Sequence, residues 1–117
     1  MKKILTLAFF FAFTISNAQE IEPTYEKSED MVKATYYYQD GSIKEQGFFK
    51  DKKLTGQWVS YNKKGEKIVI ANYIAGKKVG KWFAWSNNAL KEITYTNNTI
   101  VSVKSWNHDT TKLASNK

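Results

Sequence analysis

Residues 56–65 read GQWVSYNKKG, and a similar stretch returns 24 positions later, where residues 80–89 read GKWFAWSNNA. Trp58, Trp82 and Trp106 keep the same interval. A fixed period indicates that one supersecondary unit is copied and stacked, so that each copy buries its apolar face against its neighbours. The periodic residues are therefore expected to be structural.

Each copy contains two short runs rich in β-branched and aromatic residues, separated by clusters of Gly, Asn, Asp and Lys. This pattern is typical of a strand–turn–strand unit. Gly41 and Gly65 stand where a tight turn needs a positive φ angle. We therefore predict an all-β fold, a single-layer antiparallel meander of stacked β-hairpins with about seven strands. The predicted strands are 33–38, 42–49, 56–61, 67–74, 80–86, 90–96 and 99–106.

Alternation along a strand places the side chains of Trp58 and Tyr61 on opposite faces of the sheet. The 24-residue interval then predicts two aromatic rows. The first row is Trp58, Trp82 and Trp106, and the second is Tyr37, Tyr61 and Trp85. Aromatic rows suit a sheet that has no helical layer to cover it, because each ring buries roughly 150–250 Å². We expect one row to be buried by curvature of the sheet and the other to be available for contact.

Residues 1–18 have the features of an export signal. Lys2 and Lys3 precede an apolar run, and Ala18 ends a short stretch of small residues. The apolar run is shorter than the roughly 20 residues of a membrane-spanning helix. We expect cleavage near Ala18 and a periplasmic or secreted location; the alternative is a retained anchor helix. The remaining predicted segments are an acidic N-terminal segment at 19–31, the repeat domain at 32–106 and a polar, disordered tail at 107–117.

The amino-acid composition limits the kinds of binding and catalytic site that the chain can form. The chain has no Cys, which removes disulfides, thiolate nucleophiles and sulfur ligands for metals. All eighteen basic residues are Lys, so the planar, bidentate anion clamp that Arg provides is missing. The formal net charge is +7. This charge indicates a mild attraction to polyanions, although Lys in turns and on sheet edges also keeps an open sheet soluble.

The repeated string resembles the MORN repeat, in the bacterial variant found in small exported proteins and in YwqK-type antitoxins. The similarity covers about residues 32–106. The residues that carry it are Gly41, Gly56, Trp58, Tyr61, Gly65, Tyr73, Gly76, Gly80, Trp82, Trp85 and Trp106. In the last copy, the positions of Gly, Tyr, Gly and Gly are held by Ala89, Asn97, Ile100 and Lys104. The resemblance implies a single-layer sheet that acts in assembly, dimerisation or protein contact, and it implies no catalytic residue.

The residues offer little to an enzyme. His108 is the only His, and its neighbour Asp109 would point away from it in an extended segment. The acidic residues show no metal-ligand spacing, and the glycines fall singly in turns rather than in a phosphate-binding loop. We therefore predict no catalytic residue, no metal and no cofactor. A nucleotidyltransferase, a name sometimes transferred to small chains of this kind, remains a second alternative function without motif support.

The leading hypothesis is an exported, non-enzymatic module that contacts another protein or itself, with a homodimer as one form. The main alternative is a stripe of Lys along the turns that binds anionic lipid, lipopolysaccharide or acidic glycan surfaces. Nucleic acid is disfavoured by the export signal and by the lack of Arg. The Lys residues of the predicted stripe are Lys50, Lys52, Lys53, Lys63, Lys64, Lys67, Lys77, Lys78 and Lys81.

Overall fold

The computed structural model describes residues 21–107, and these form one open antiparallel sheet. Neighbouring strands in the sequence are neighbours in the sheet, and the two-residue β6 pairs with β5 just before β7 continues beside the same strand. The strands are β1 (Thr24–Ser28), β2 (Met31–Tyr37), β3 (Ile43–Lys50), β4 (Lys53–Tyr61), β5 (Lys67–Ile74), β6 (Lys77–Lys78), β7 (Gly80–Ser86), β8 (Ala89–Thr96) and β9 (Thr99–Asn107). The predicted all-β meander of hairpins is confirmed.

The sheet begins earlier than the sequence predicted. Strand β1 lies within the predicted acidic segment 19–31, and all five of its residues are exposed. It therefore lacks the apolar alternation by which a strand is recognised, and its backbone pairing with β2 holds it in the sheet. With β1 and the short β6, the described sheet has nine strands rather than about seven. The predicted export signal, His108 and the part of the predicted tail beyond Asn107 lie outside the described residues.

The turns between hairpins share one backbone geometry. Two successive residues with positive φ connect β3 to β4, at Asp51 (52°) and Lys52 (65°). The same arrangement recurs at Ala75–Gly76 and at Asn97–Asn98. Two positive φ angles define the turn whose twist matches that of the flanking strands. Because the strands are antiparallel, these turns and the β1–β2 turn form a first row at one end of the strands, and the β2–β3, β4–β5 and β7–β8 connections form a second row at the opposite end.

The register of the strands assigns every side chain to one of two faces. On the first, the tryptophan face, Ala34 is opposite Gly47 and Trp58 is opposite Ala71. On the second face, Val59 is opposite Ile70, which is in turn opposite Phe83. The only buried hydrophobic cluster of the described chain is on the tryptophan face, where Tyr36, Phe49, Leu54, Val69, Tyr73 and Trp82 pack around Ala34, Trp58 and Ala71.

Trp58 closes this core by lying across a residue without a side chain. Its indole lies over Gly47, where an added Cβ would overlap the ring atoms. The indole N–H donates a hydrogen bond to the carbonyl of Phe48 (3.0 Å), and the ring of Phe49 meets it edge-on at 5.2 Å. A single sheet therefore covers its own backbone with the flat side of a Trp.

The next copy repeats these contacts 24 residues later. The indole N–H of Trp82 donates to the carbonyl of Asn72 (3.1 Å), and the ring of Tyr73 meets it edge-on at 5.2 Å. Asn72 and Tyr73 hold the positions that Phe48 and Phe49 hold in the copy before. The predicted structural role of Trp58 and Trp82 is thus visible in matched hydrogen bonds.

The last copy is two residues shorter than the sequence analysis assumed. Only two residues connect β7 to β8, whereas five connect β4 to β5. The turn Asn97–Asn98 therefore follows the turn Ala75–Gly76 after 22 residues, and Tyr95 follows Tyr73 at the same interval. The earlier assignment of Ala89, Asn97, Ile100 and Lys104 to the Gly, Tyr, Gly and Gly positions is wrong, because Tyr95 and Asn98 hold the Tyr and turn-Gly positions.

The shorter hairpin also removes Trp106 from the predicted Trp row. Val103 is opposite Ile93, which is opposite Trp82, so Val103 occupies the place expected of a third Trp. Trp106 is opposite Leu90 on the second face instead. The second interval of 24 in the sequence, from Trp82 to Trp106, therefore does not lead to a third equivalent position in the fold.

Candidate contact surface

The two aromatic rows differ in exposure at their Trp residues. Trp58 is 5 % exposed, whereas Trp85 is 38 % exposed and belongs to the large apolar side chains that the fold leaves open to solvent. Alternation along the strands places Tyr37, Tyr61 and Trp85 on the second face, as predicted. The row that offers a Trp for contact is therefore the second one, and its open end is at Trp85.

Trp85 is part of a cross-strand apolar group, which we call the Trp85 patch. The patch consists of Phe83, Trp85, Leu90 and Trp106. The rings of Phe83 and Trp85 are stacked, with centroids 6.1 Å apart and planes 27° apart. Leu90 is directly opposite both Trp85 and Trp106. This packing on three strands fixes the ring orientation, so Trp85 is presented without the entropy cost of ordering a free side chain.

A shallow groove of about 600 Å³ adjoins the patch at the second row of turns. It is lined by Asn62, Glu66, Lys67, Ile68, Trp85, Ser86 and Asn87. Asn62 is used by its own turn, because its side-chain oxygen accepts from the backbone N–H groups of Lys64 and Glu66 and its amide donates to the Glu66 carboxylate (2.8 Å). The polar groups of the groove thus hold a loop in place, and the groove gives the patch a recessed border.

The predicted Lys stripe is not continuous. Lys63, Lys64 and Lys67 lie at the second row of turns, whereas the other six lie at the first row, at the opposite end of the strands. An antiparallel meander sends alternate turns to opposite ends, so one stripe cannot include both groups. The correction concerns the arrangement of the nine residues, since all nine lie in or near turns as expected.

Several of these Lys side chains are already engaged. Lys50 pairs with Asp30 (3.3 Å), and Lys81 pairs with the largely buried Glu92 (3.5 Å). The ammonium of Lys78 lies over the rings of Trp82 and Tyr95, 5.3 and 5.2 Å from their centroids. Lys78 therefore belongs to the packing of the tryptophan face, where a cation over an aromatic ring is attracted by the ring quadrupole.

The pKa shifts fall on groups with structural roles. Burial raises the pKa of Tyr36, with a smaller contribution from its hydrogen bond with Tyr25, and burial also raises the pKa of Tyr73. The hydroxyl and backbone N–H of Ser42 donate to Asp40 and hold its pKa below 3.8. The two Tyr residues line the core and Asp40 closes a turn, so these shifts follow from packing and turn geometry.

Two searches of residues 21–107 concern other kinds of site. No group of three or more His, Cys, Asp or Glu side chains in this part of the chain could hold a metal ion. No helix long and apolar enough to cross a membrane occurs in the same part. No protein-family model, curated protein or solved structure matches the chain. The resemblance to the MORN repeat therefore stays a prediction from the sequence.

The sequence analysis overlooked part of the exposed surface. Ile100, Val101 and Val103 on β9 are each more than half exposed, and so is Ile74 at the end of β5. The sequence did contain a signal, because the last predicted strand, 99–106, carries apolar residues, and in the described part of the chain β9 is an edge strand. Periodicity directed attention to Trp106 instead.

Proposed function

We propose that this chain is an exported, non-enzymatic contact module of the MORN-like type, which binds another protein or itself through the Trp85 patch. The observation that carries the proposal is the exposure of Trp85 beside Phe83, whose ring stacks against it. Exposed, rigidly held Trp side chains are enriched among the residues that dominate binding energy in protein interfaces. The open sheet supports this proposal because its face is accessible over three adjacent strands.

The test compares two single variants of the purified protein. Trp85→Ala removes the ring from the patch, whereas Ile74→Ala removes a more exposed apolar side chain at the opposite end of the strands. We expect Trp85→Ala to weaken self-association, or binding to a partner identified by cross-linking in the cell, by about 30-fold or more. Ile74→Ala should leave either interaction within about twofold. Equal effects of both variants would contradict the proposal.

A specific arrangement of Lys residues supports the anionic-surface alternative. Lys50 is directly opposite Lys53, and like charges at paired positions destabilise a sheet. Lys50 and Lys53 line a cavity of about 300 Å³ together with Asp51 and the hydroxyl-bearing Thr55, and Lys77 is opposite Ile74 at the same cavity. A phosphate or sulfate group on a membrane or glycan would reduce the repulsion between these Lys side chains.

Salt dependence separates the two candidates. Binding to anionic vesicles through Lys residues should fall sharply between about 0.1 and 0.5 M salt, because the Debye length shortens from about 10 Å. Contact through Trp85 should persist over that range. Two results together would favour the alternative. The double variant Lys53→Gln/Lys77→Gln would no longer bind vesicles, and Trp85→Ala would leave self-association and partner binding unchanged.

A further inference from the structure

The two edges of the sheet are built differently. The β1 edge is five residues long, and acidic residues and a Pro surround it: Pro23 precedes it, Glu26 lies within it, and Glu29 and Asp30 follow it. Short length, charge and Pro are the means by which natural sheets prevent an edge from pairing with another strand. The β1 edge is therefore protected.

The β9 edge has none of this protection. It is nine residues long, contains no Pro and carries a single charge, at Lys104. Ile100, Val101 and Val103 are 53 %, 59 % and 52 % exposed. Together they are three of the large apolar side chains that the described fold leaves exposed, and they lie within four consecutive residues. A strand that is paired on one side only leaves a row of backbone N–H and C=O groups on the other.

We propose that β9 pairs antiparallel with β9 of a second copy of the chain, so that the two sheets join into one. This inference goes beyond the proposed contact through the Trp85 patch, because it names a second copy as the partner and the edge of β9 as the place where that copy binds. We infer a second copy as the partner because β9 is self-complementary. When two copies of β9 run antiparallel, the apolar residues in the middle of each strand meet each other, and the single charge of each strand can avoid the other.

The geometry of a two-fold axis selects the register. An axis perpendicular to the sheet keeps each face on its own side, so directly paired residues must belong to the same face. Full overlap of two nine-residue strands places the axis at the middle residue, which is Val103. Val103 then meets Val103 of the second copy, and Lys104 meets Ser102. An axis at Lys104 would instead oppose two ammonium groups directly, which is destabilising.

The extent of this pairing is sufficient for a dimer. Antiparallel strands form about one backbone hydrogen bond per residue pair, so nine pairs approach the roughly ten hydrogen bonds of an average protein interface. The side chains of Val103 from both copies would become covered by each other. Because each copy has only one unprotected edge, the assembly closes as a dimer and does not extend into a fibre.

The first experiment measures the mass of the purified protein by sedimentation and light scattering between about 1 and 100 µM. We expect a dimer that Val103→Lys weakens by about 100-fold or more, because the variant opposes two ammonium groups at the axis. The matched control is Ile74→Lys, which introduces the same charge at a more exposed residue away from the edge (63 %) and should leave the dimer intact.

The second experiment uses the absence of Cys in the chain. In the proposed register, the two copies of residue 103 have Cα atoms about 4.5–5.5 Å apart, within the range of a disulfide. Val103→Cys should therefore form a covalent dimer on mild oxidation, whereas Ile74→Cys should remain monomeric under denaturing, non-reducing conditions. This variant needs no change in charge, so it reports on the register even if Val103→Lys folds poorly.

The outcomes separate this inference from the proposed function. A dimer that is lost in Val103→Lys, kept in Ile74→Lys and cross-linked in Val103→Cys supports the pairing. A protein that stays monomeric at about 100 µM overturns it. A dimer that survives Val103→Lys, fails to cross-link at residue 103 and is lost in Trp85→Ala also overturns it, while the Trp85 patch remains the contact surface.

Discussion

Gly47 determines whether Trp58 can close the core. A methyl group on this residue would overlap the indole of Trp58, which is buried and covers the backbone at this point. The ring cannot move sideways without giving up its hydrogen bond to the Phe48 carbonyl and its edge-on contact with Phe49. Gly47→Ala therefore displaces the largest side chain of the buried cluster by adding one carbon atom.

The cost follows from these contacts. Overpacking a well-packed site costs about 1–3 kcal/mol. Loss of the indole hydrogen bond adds about 1 kcal/mol, and loss of the aromatic pair adds about 0.5–1.5 kcal/mol. We expect Gly47→Ala to lower the free energy of unfolding by about 3–4 kcal/mol, which is close to the effect of Trp58→Ala at about 3–5 kcal/mol. Urea denaturation followed by far-ultraviolet circular dichroism measures both values.

The double variant provides the decisive comparison. Once Trp58 is replaced by Ala, the ring that a Cβ at residue 47 would overlap is gone, and Ala in a strand is favoured over Gly by about 0.5–1 kcal/mol. Gly47→Ala should then be neutral or stabilising in the Trp58→Ala background. The reasoning is refuted if Gly47→Ala alone costs less than about 1 kcal/mol, or if the two effects add. Ala71→Gly, at the corresponding position of the next copy, is the control and should cost only about 1 kcal/mol.

Two further predictions concern the turns. Lys52→Gly should stabilise the fold by about 1 kcal/mol, because Lys52 has a φ of 65° and a left-handed backbone costs a side chain roughly 1–2 kcal/mol; an unchanged or lower urea midpoint would contradict this. Ser42→Ala should raise the pKa of Asp40 toward 3.8, as followed by carbon NMR, because it removes the hydroxyl hydrogen bond that is the largest cause of the lowered pKa, while the backbone N–H of residue 42 remains. Because the pKa of Asp40 is lowered in the folded state, its carboxylate stabilises the fold above pH 3.8, and this stabilisation is lost as the pH falls through the folded-state pKa. The variant should therefore lose less stability on acidification. The same acid dependence as the parent would count against this.

Most of the strand pattern could be predicted from the sequence because apolar alternation and turn residues coincide. Strand β5 was predicted with the same bounds as observed, 67–74, and β7 likewise at 80–86. Gly41 and Gly65 have the positive φ angles expected of them. Strand β1 could not be recognised, because its five residues are all exposed and show no apolar alternation. Local pattern thus predicts strands that bury a face, and it misses strands that add to an edge.

The last copy shows why periodicity can mislead. The interval of 24 holds from Trp58 to Trp82, where a matched hydrogen bond confirms it, but the next hairpin has lost residues from its turn. A loop can shorten without disturbing the strands, because the register on either side is set by pairing. Trp106 then meets the interval by number while lying on the other face. Aligning the turn at Asn97–Asn98 with the turn at Ala75–Gly76 would have shown that the last copy is two residues shorter.

The exposed surface could not be predicted from the aromatic rows alone, because the residues beneath the rings decide which row is buried. Gly47 and Ala71 leave space for Trp58 and Trp82 on the tryptophan face, so that face forms the core. The second face must then carry Trp85 outward, since a single layer has no other side on which to bury it. Small residues at the same 24-residue interval as the Trp residues are therefore the signal that identifies the buried row.

Stability and contact depend on the same property of this fold. A sheet without a second layer can bury large rings only where a neighbouring strand offers a small residue, and within residues 21–107 β9 is paired on one side only. Val103 holds the place of Trp58 and Trp82 in the last copy, yet it remains half exposed because β9 is the edge of the described sheet. A second β9 would supply the missing neighbour, and each sheet would complete the other's last copy. The repeat position that covers the core at Trp58 and Trp82 is thus the same position that, as Val103 on β9, would contact the second copy.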